Sequence, residues 1–517
     1  MNFDDIFLSN TRLREIEDFY QKKNIRLMGI AAANLAKRIN KIIKGEKFNP
    51  KQNPILIVAG KGNNGGDAIE LASIFLKQKY LIEVIAITSS KGFKGLSSED
   101  YQIAKNKFGN AGGSFIQKVN PKTKYSIIID GIFGIGFSSD RKIPKSELEW
   151  ITFINTYSQK NKNCRVIAID ISSGLDAKNG NVANINHAVY ADYTISLIAH
   201  KAGMFMNFGP TYSGKIILDT LAIEKQHPEF YNQPKKLTGG VINTPKIWQK
   251  YLPTRTSNFH KGNAGSVVVF GGLKPMIGAG HLASLAALKL GCGRVYWENQ
   301  EYSIPEVINS TPDFKKENQN NTIILIGPGL GKDQKAKKIL TFGLSQNLKM
   351  IIDADALTLI SENQELKKIV LNRKADTIFT PHPLEAARLL NTNSNDIQNN
   401  RIESATAISK QYQVYTILKG CGTILSTPGE KGDIFIQKGC STALSTAGSG
   451  DVLAGAISSL LAQGSKSKKI KYLLLAAINI HLQAGLDLAK KHERGVIASE
   501  LIDKMRKIYN QYSRNKN

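Results

Sequence analysis

Pro54-Ile-Leu-Ile-Val-Ala-Gly-Lys-Gly-Asn-Asn-Gly-Gly-Asp67 is the stretch on which the fold turns. Ile55 to Ala59 is a short apolar run closed off by Pro54 and Gly60, which suits a strand buried on both faces. A glycine-rich turn follows, and then Ala68 to Gln78 keeps helical spacing through Ile69, Ala72, Ile74, Phe75 and Leu76. Strand, turn and helix in that order open a βαβ unit. The same logic predicts strands at Ile82 to Ile87, Tyr125 to Ile129 and Val166 to Ile169. It resumes with Ser266 to Phe270, Thr322 to Ile326, Met350 to Ile352, Asp376 to Phe379 and Val414 to Leu418. Helices are expected after Ile277, Pro383, Gly450 and Lys471. Apolar strands alternating with helices mean an α/β protein whose sheets are parallel and covered on both faces.

Between the two series, Glu224 to Lys246 is polar, lacks a clean period and holds Pro228, Pro234 and Pro245. Two α/β domains are therefore expected, residues 1–225 and 246–517, joined by a linker at 226–245. The chain has 517 residues, 42% of them hydrophobic and 21% charged, which is ample for two packed cores and excludes wholesale disorder. No continuous apolar run approaches the roughly 18 residues of a membrane span. The N-terminus is acidic where a secretory signal is basic, so a cytoplasmic protein with no membrane partner is expected. The net charge of +27 is spread along the chain, mostly as Lys, and reads as a solvated surface rather than a nucleic-acid site. Cys164, Cys292, Cys421 and Cys440 form no CxxC pair; they are expected to be buried spectators, with neither a disulfide framework nor structural zinc.

The chemistry-bearing residues fall at strand ends. Gly60 to Asp67 joins the end of a strand to the start of a helix, where free N–H groups and the helix dipole favour an anion; a tight turn capped by Asp67 would fit the pattern equally well. Asp130 and Asp170 close two further strands of the same block. Ligands of open α/β sheets sit outside the carboxyl ends of the strands, so these loops form one polar crevice. There Asn64, Asp130 and Ser173 offer hard oxygens to a monovalent cation, and Asp170 is a candidate acid/base. In the second block, Thr446-Ala-Gly-Ser-Gly-Asp451 runs into an apolar helix. Small residues there leave backbone N–H groups free for a phosphate, and Asp451 is placed to deprotonate an attacking hydroxyl. Lys419-Gly-Cys-Gly-Thr423 is a candidate nucleotide contact. Thr380-Pro-His-Pro, Gly327-Pro-Gly-Leu-Gly331, Asp353-Ala-Asp355 and Gly271-Gly272 mark other strand ends.

The run GKGNNGGD, then DGIFGIG, then DISSGLD resembles the N-terminal epimerase domain of the bifunctional NAD(P)H-hydrate repair enzymes, and the second series resembles their ribokinase-like, ADP-dependent dehydratase domain. The resemblance covers most of the chain in the order that family uses. It implies two three-layer αβα domains, Rossmann-like then ribokinase-like. The first would interconvert R and S NADHX and NADPHX; the second would use ADP to phosphorylate the C6 hydroxyl of the S-hydrate and expel phosphate, giving NAD(P)H and AMP. By motif position, Asn63, Asn64, Gly65, Gly66, Asp67, Gly134, Ile135, Gly136, Phe137, Ser138, Ser139, Asp140 and Asp170 would contact the hydrate in the first domain. Ala279, Gly329, His382 and Asp451 would do so in the second. Lys419, Gly420, Cys421, Gly422, Thr423 and Gly450 would contact the adenine nucleotide. Potassium at Asn64, Asp130 and Ser173, magnesium in the second domain, and a homo-oligomer are further expectations. The chain departs from the family pattern at Ala68, Ser172 and Leu384. From the residues alone, a kinase that releases a phosphorylated product, or a first domain that binds without turnover, stays open.

Overall fold

A computed structural model describes residues 3–87, 99–231, 239–299, 304–314, 317, 321–429, 432–464, 470–492 and 494–514. The chain divides into two compact units, residues 2–240 and 241–517.

In the first unit the strands are β1 (Ile6–Leu8), β2 (Ile55–Ala59), β3 (Ile82–Ala86), β4 (Ile127–Gly131), β5 (Arg165–Ile169), β6 (Tyr193–Leu197) and β7 (Lys215–Asp219). Six of them form a sheet in the order β3-β2-β4-β5-β6-β7, with every pairing parallel. Successive side chains of a strand point to opposite faces, and here both faces are dry. Ile55, Ile57 and Ala59 join Leu35, Ile39 and Phe75 on one side; Leu56 and Val58 join Ile128, Val166, Ile151 and Ile154 on the other. Helices Leu27–Glu46, Asn63–Lys77 and Glu99–Asn110 cover the first face and Lys145–Lys160 the second. The result is three layers. From β2 the chain goes to β3 on one side and then to β4 on the other, so the order reverses at β2 and opens a crevice beyond the carboxyl ends of β2 and β4.

The second unit contains β8 (Gly239–Asn243), β9 (Ser266–Phe270), β10 (Arg294–Tyr296), β11 (Thr322–Ile326), β12 (Lys349–Ile352), β13 (Thr377–Phe379), β14 (Tyr415–Leu418), β15 (Ile424–Ser426) and β16 (Ile434–Gln437). They run in the order β8-β16-β15-β14-β13-β12-β11-β9-β10. Here the expectation of an all-parallel sheet is corrected: β15 is antiparallel to both β14 and β16. A hairpin of short strands needs no helical crossover, and it carries no long apolar run to announce it. The order reverses at β9, between β10 and β11. Helix Ile470–Ala489 is long and apolar enough to cross a membrane by length and composition, which continuous apolar runs do not reveal; 67% of its apolar window is buried inside the unit. It belongs to the same core as Val452, Ile457 and Leu460 of helix Ser449–Gln463 and Leu501 and Met505 of helix Ala498–Arg514.

Strand β8 occupies part of the stretch expected to be linker, and residues 232–238 of that stretch lie outside the described residues.

Candidate active sites

The helix after β2 begins earlier than its apolar spacing suggests. It runs Asn63–Lys77, so Asn63, Asn64, Gly65 and Gly66 form its first turns and Asp67 sits inside it rather than capping it. Such residues are poor helix formers, and close packing overrides the propensity. A Cβ on Gly65 would stand 1.9 Å from the Gly60 carbonyl oxygen, and one on Gly60 would stand 2.0 Å from that of Ile132. Backbone thus passes against backbone across the β2–β4 crevice, which only glycine allows.

Beyond that crevice lies a cavity of about 770 Å³, lined by Asn63, Asn64, Asp67, Gly134, Ile135, Gly136, Phe137 and Asp170. Gly65, Gly66, Ser138, Ser139 and Asp140 are not among its lining. Gly66 packs on Met28, and the Ser139 N–H donates to Asp176 at 3.0 Å. Asp140 is exposed.

Asp170 follows β5 in a left-handed conformation, φ +64°. Its Oδ1 accepts from the Leu197 N–H at 3.0 Å and from the ammonium of Lys201. Lys201 is 1% exposed and also donates to Ser196 Oγ at 3.3 Å and Leu197 O at 2.8 Å, so its charge is fully desolvated and held. Glu17 and Asp67, two of the other carboxyls that line this cavity, are strongly shifted. Glu17 is pushed up to about 7 by burial and then by the charge of Asp170, with Lys201 pulling the other way. Burial, then Asp170, Glu17 and Glu70, hold Asp67 well above the carboxylate range. Sequence reasoning missed Glu17 and Lys201. Glu17 lies on helix Asn10–Lys22, where a charged residue looks like solvated surface, and Lys201 lies after β6, a strand of mixed polarity.

The proposed cation ligands do come together. Ser173 Oγ donates to Asp130 Oδ1 at 2.5 Å and the Ser173 N–H to Oδ2 at 2.8 Å. Asn64 Nδ2 donates to Phe133 O at 2.7 Å, the carbonyl beside Ser173 Oγ. Asn64 Oδ1 is buried with no hydrogen-bond partner. Asp130 is wholly buried and pushed up to about 6 by desolvation, against the hydrogen bonds of Ser173 and Ile132. An unpartnered amide oxygen beside a buried carboxylate with neutral partners is a donor set that fits a large monovalent cation.

In the second unit the strand ends converge likewise. Gly272 and Leu273 donate backbone N–H groups to Pro328 O and Gly329 O at 2.8 Å each, closing the β9–β11 reversal. A Cβ on Gly329 would stand 3.1 Å from that of Ala279, which places those two together. Asp353 ends β12 and is 1% exposed; Lys419 ends β14 and its Nζ lies 2.7 Å from Asp353 Oδ1. Burial lowers the Lys419 ammonium, but Asp353, Glu385 and Asp451 more than offset this and raise it. Asp451 sits in the first turn of helix Ser449–Gln463, capped by Gly448 at φ +84°. It is pushed up to about 7 by burial and then by Asp353, against Lys419. Gly450 lies against Lys419, its added Cβ 3.4 Å from Nζ, which links the anion loop to the ion pair.

His382 is tied down more than a free ligand would be. Its Nδ1 accepts from the N–H groups of Leu384 and Glu385 at 3.1 and 3.4 Å, and the His382 N–H donates to Glu385 Oε2 at 2.8 Å, a reciprocal cap. Nε2 lies 3.2 Å from Glu385 Oε1, and the imidazole is held low by burial and then Lys419, so a neutral ring donating from Nε2 is the favoured form. Leu384, the departure beside it, is 48% exposed. The loop Lys419 to Thr423 is braced by Arg401, another residue the sequence did not reveal. Its fully buried Nη2 donates to the carbonyls of Leu418, Lys419 and Gly422 at 3.4, 3.3 and 3.4 Å.

A family profile described as YjeF-related protein N-terminus matches residues 24–203, and one described as NAD(P)H-hydrate dehydratase matches 267–507. A bifunctional NAD(P)H-hydrate repair enzyme of Coxiella burnetii is 30% identical over 479 residues, spanning 89% of this chain and 91% of its own length. The chain belongs to the bifunctional NAD(P)H-hydrate repair enzymes. The member of this family from Escherichia coli is 28% identical, over 89% of this chain and 86% of its own. An ADP/ATP-dependent NAD(P)H-hydrate dehydratase of Bacillus subtilis, crystallised with ATP and Mg²⁺, aligns with 53% of this chain and 99% of its own at 26% identity and TM-score 0.46. In this repair enzyme the two profiles fall one in each of the two α/β units, and each unit has its strand order reversed once, at β2 and at β9.

Proposed function

We propose that the two units divide the repair of hydrated NADH and NADPH between them, epimerase in residues 1–225 and dehydratase in 246–517. One observation carries the reading: each unit holds a Lys–Asp pair at its strand ends beside a second carboxyl poised near neutrality.

In the first unit, exchange at C6 needs one group to give a proton and another to take one, because the carbon bears a hydroxyl next to the ring nitrogen. Asp170, held in place by the ammonium of Lys201, is the base, and Glu17, which holds its proton up to about pH 7, is the acid. Asn63, Asn64, Asp67 and Gly134 to Phe137 supply the walls that orient the hydrate. Asn64, Asp130 and Ser173 would hold K⁺, which supplies fixed positive charge at the turn beside Asp170.

In the second unit, Asp451 takes the proton of the C6 hydroxyl as it attacks the terminal phosphoryl group of ADP and AMP leaves; phosphate then departs from C6 with its bonding pair while the adjacent ring carbon gives up a proton to solvent, and the ring double bond returns. A carboxyl at about 7 suits this work, since it is half deprotonated at neutral pH yet still a strong enough base. Lys419 steadies the phosphates, and the first-turn N–H groups around Gly450 receive them. Mg²⁺ would neutralise phosphate charge, and Asp353 and Asp451 are the carboxylates that would face it beside the phosphates. Ala279, Gly329 and His382 shape the hydrate side.

The test is a repair assay: a mixture of R- and S-NADHX with Mg²⁺, K⁺ and ADP, followed by the dihydronicotinamide absorbance and by AMP. Full recovery of both epimers with stoichiometric AMP is expected. Recovery of the S share alone would remove the epimerase assignment, and a stable phosphorylated product would remove the dehydratase one.

A further inference from the structure

The phosphate-receiving end of helix Ser449–Gln463 is backed by a side chain to which the proposed reaction gives no part. His481 lies on helix Ile470–Ala489, is 7% exposed, and is the one ionisable group among that helix's buried residues. Its Nε2 stands 3.1 Å from Oγ of Ser449, which is 5% exposed. Burial pushes the imidazole down to about 4, against its hydrogen bonding with Ser449, and the Lys419 charge lowers it further. A neutral ring has one donor and one acceptor nitrogen, so Nε2 holds the hydroxyl in a single sense.

Ser449 opens the helix that carries Asp451, and its N-cap Gly448 has no side chain to cover the first N–H groups. The Ser449 N–H turns back to Thr446 O at 3.3 Å, and the Val452 N–H goes to Gly448 O at 3.0 Å. Gly450 and Asp451 thus hold the N–H groups that the helix leaves for an anion. A serine hydroxyl in this turn could reach toward the same anion; the bond to His481 keeps it on the core side. The segment leading into the turn rests on the helix of His481 as well, since a Cβ on Gly485 would stand 2.8 Å from Leu444 and 3.2 Å from Ser441. Cys440 in that segment is exposed and Cys421 is half-buried; Cys164 and Cys292 are the buried ones, which corrects the expectation of four interior spectators.

We propose that His481 is a positioning residue of the dehydratase reaction: through Ser449 it fixes the first turn of the Asp451 helix, so that the Gly450 and Asp451 N–H groups stay aimed at the terminal phosphate of ADP. The inference rests on the dehydratase reading of this unit. His481 acts from behind the turn and does not meet the nucleotide. Ser449, despite being a hydroxyl in a glycine-rich loop, is then an anchor for the turn and not a ligand of phosphate or magnesium. Both members of the pair are buried, so replacing one leaves the other without its hydrogen bond, and the turn shifts to satisfy it. N–H groups that were held ready must then reorganise as the phosphate arrives, which weakens binding at that end of the substrate pair. The hydrate side, shaped by Ala279, Gly329 and His382, lies on other strand-end loops and keeps its geometry.

The experiment uses the full chain and measures ADP binding by calorimetry, KM for ADP and for S-NADHX, and the unfolding midpoint. His481→Phe and Ser449→Ala should each lower ADP affinity about tenfold and raise the KM for ADP to match, with the KM for S-NADHX unchanged. The double variant should lose no more than either single one, because the two residues act as a unit. His481→Gln, whose amide reaches the place of Nε2, should recover most of the loss. A lower unfolding midpoint with ADP affinity unchanged in both single variants overturns the proposal and leaves the pair a core contact. Equal rises in both KM values overturn it too, since the disturbance is then not confined to the phosphate turn. Should His481→Phe not fold, Ser449→Ala decides alone, as it removes a single hydroxyl. Absence of ADP binding in the parent overturns the dehydratase reading and the inference with it, an outcome distinct from parent binding that the variants leave intact.

Discussion

The two strand-end sites differ in fold context and proposed reaction, yet they share an electrostatic layout. In the first unit Lys201 pairs with Asp170 and leaves Glu17 near 7; in the second Lys419 pairs with Asp353 and leaves Asp451 near 7. One buried ammonium satisfies one carboxylate. The second carboxyl then feels burial and the first anion together, and both favour its protonated form. The proposed mechanisms differ in which member does the chemistry. In the one proposed for the first unit the paired Asp170 is the base and the lifted Glu17 the acid. In the one proposed for the second the paired Asp353 holds the lysine in place and the lifted Asp451 is the base. On this proposal a lysine–aspartate pair tunes a neighbouring carboxyl, and its own aspartate need not react.

Asp451→Asn breaks the second half of this comparison most severely. Dehydration of S-NADHX should fall by about 10³-fold while ADP affinity, measured by calorimetry, stays near that of the parent. Retained turnover would remove the base assignment. In the parent, a base must be deprotonated to act, so the dehydration rate should rise with pH through about 7 and then level off. Glu17→Gln tests the first half. Epimerisation, followed by chromatographic separation of the epimers, should slow by about 10²-fold and lose its decline above pH 7, while dehydration of pure S-hydrate is untouched. Equal loss in both activities would argue for global damage instead.

Lys419→Met sharpens the tuning claim. Asp353 would be left buried and unpaired, costing about 3 kcal/mol in denaturant unfolding. With the attractive charge gone, the pH limb of residual dehydration should move upward; an unmoved limb would mean that Lys419 does not set Asp451. The smallest effect is expected from Asp130→Ala, which should flatten the dependence of epimerisation on K⁺ without abolishing it at saturating hydrate. An unchanged response to K⁺ would place the cation elsewhere.

Much of this was legible in the sequence because buried parallel strands are written as apolar runs: β2, β9 and β11 fall on their expected spans. β6 and β15 were not, since Thr194, Ser196 and Ser426 are buried polar residues that interrupt the run. The start of helix Asn63–Lys77 was hidden by residues whose local preference is a turn and whose helical state is set by Gly60 and Ile132 across the crevice. Motif residues at strand ends were visible because short spacing brings them together. Glu17, Lys201 and Arg401 were not, because each reaches its site from an element whose own pattern gives no reason to look there.

Arg401 also sets which way the main chain of the Lys419–Thr423 loop faces. A trans peptide holds its C=O and N–H on opposite sides. With the carbonyls of Lys419 and Gly422 drawn inward to the guanidinium, the N–H groups of Gly420 and Thr423 are turned outward. The loop is thereby polarised, with acceptors toward the core and donors toward the open side. In the proposed nucleotide contact, recognition would lie in main-chain orientation, so it would tolerate drift at Cys421 and Thr423 while depending on Arg401, which braces the loop from behind.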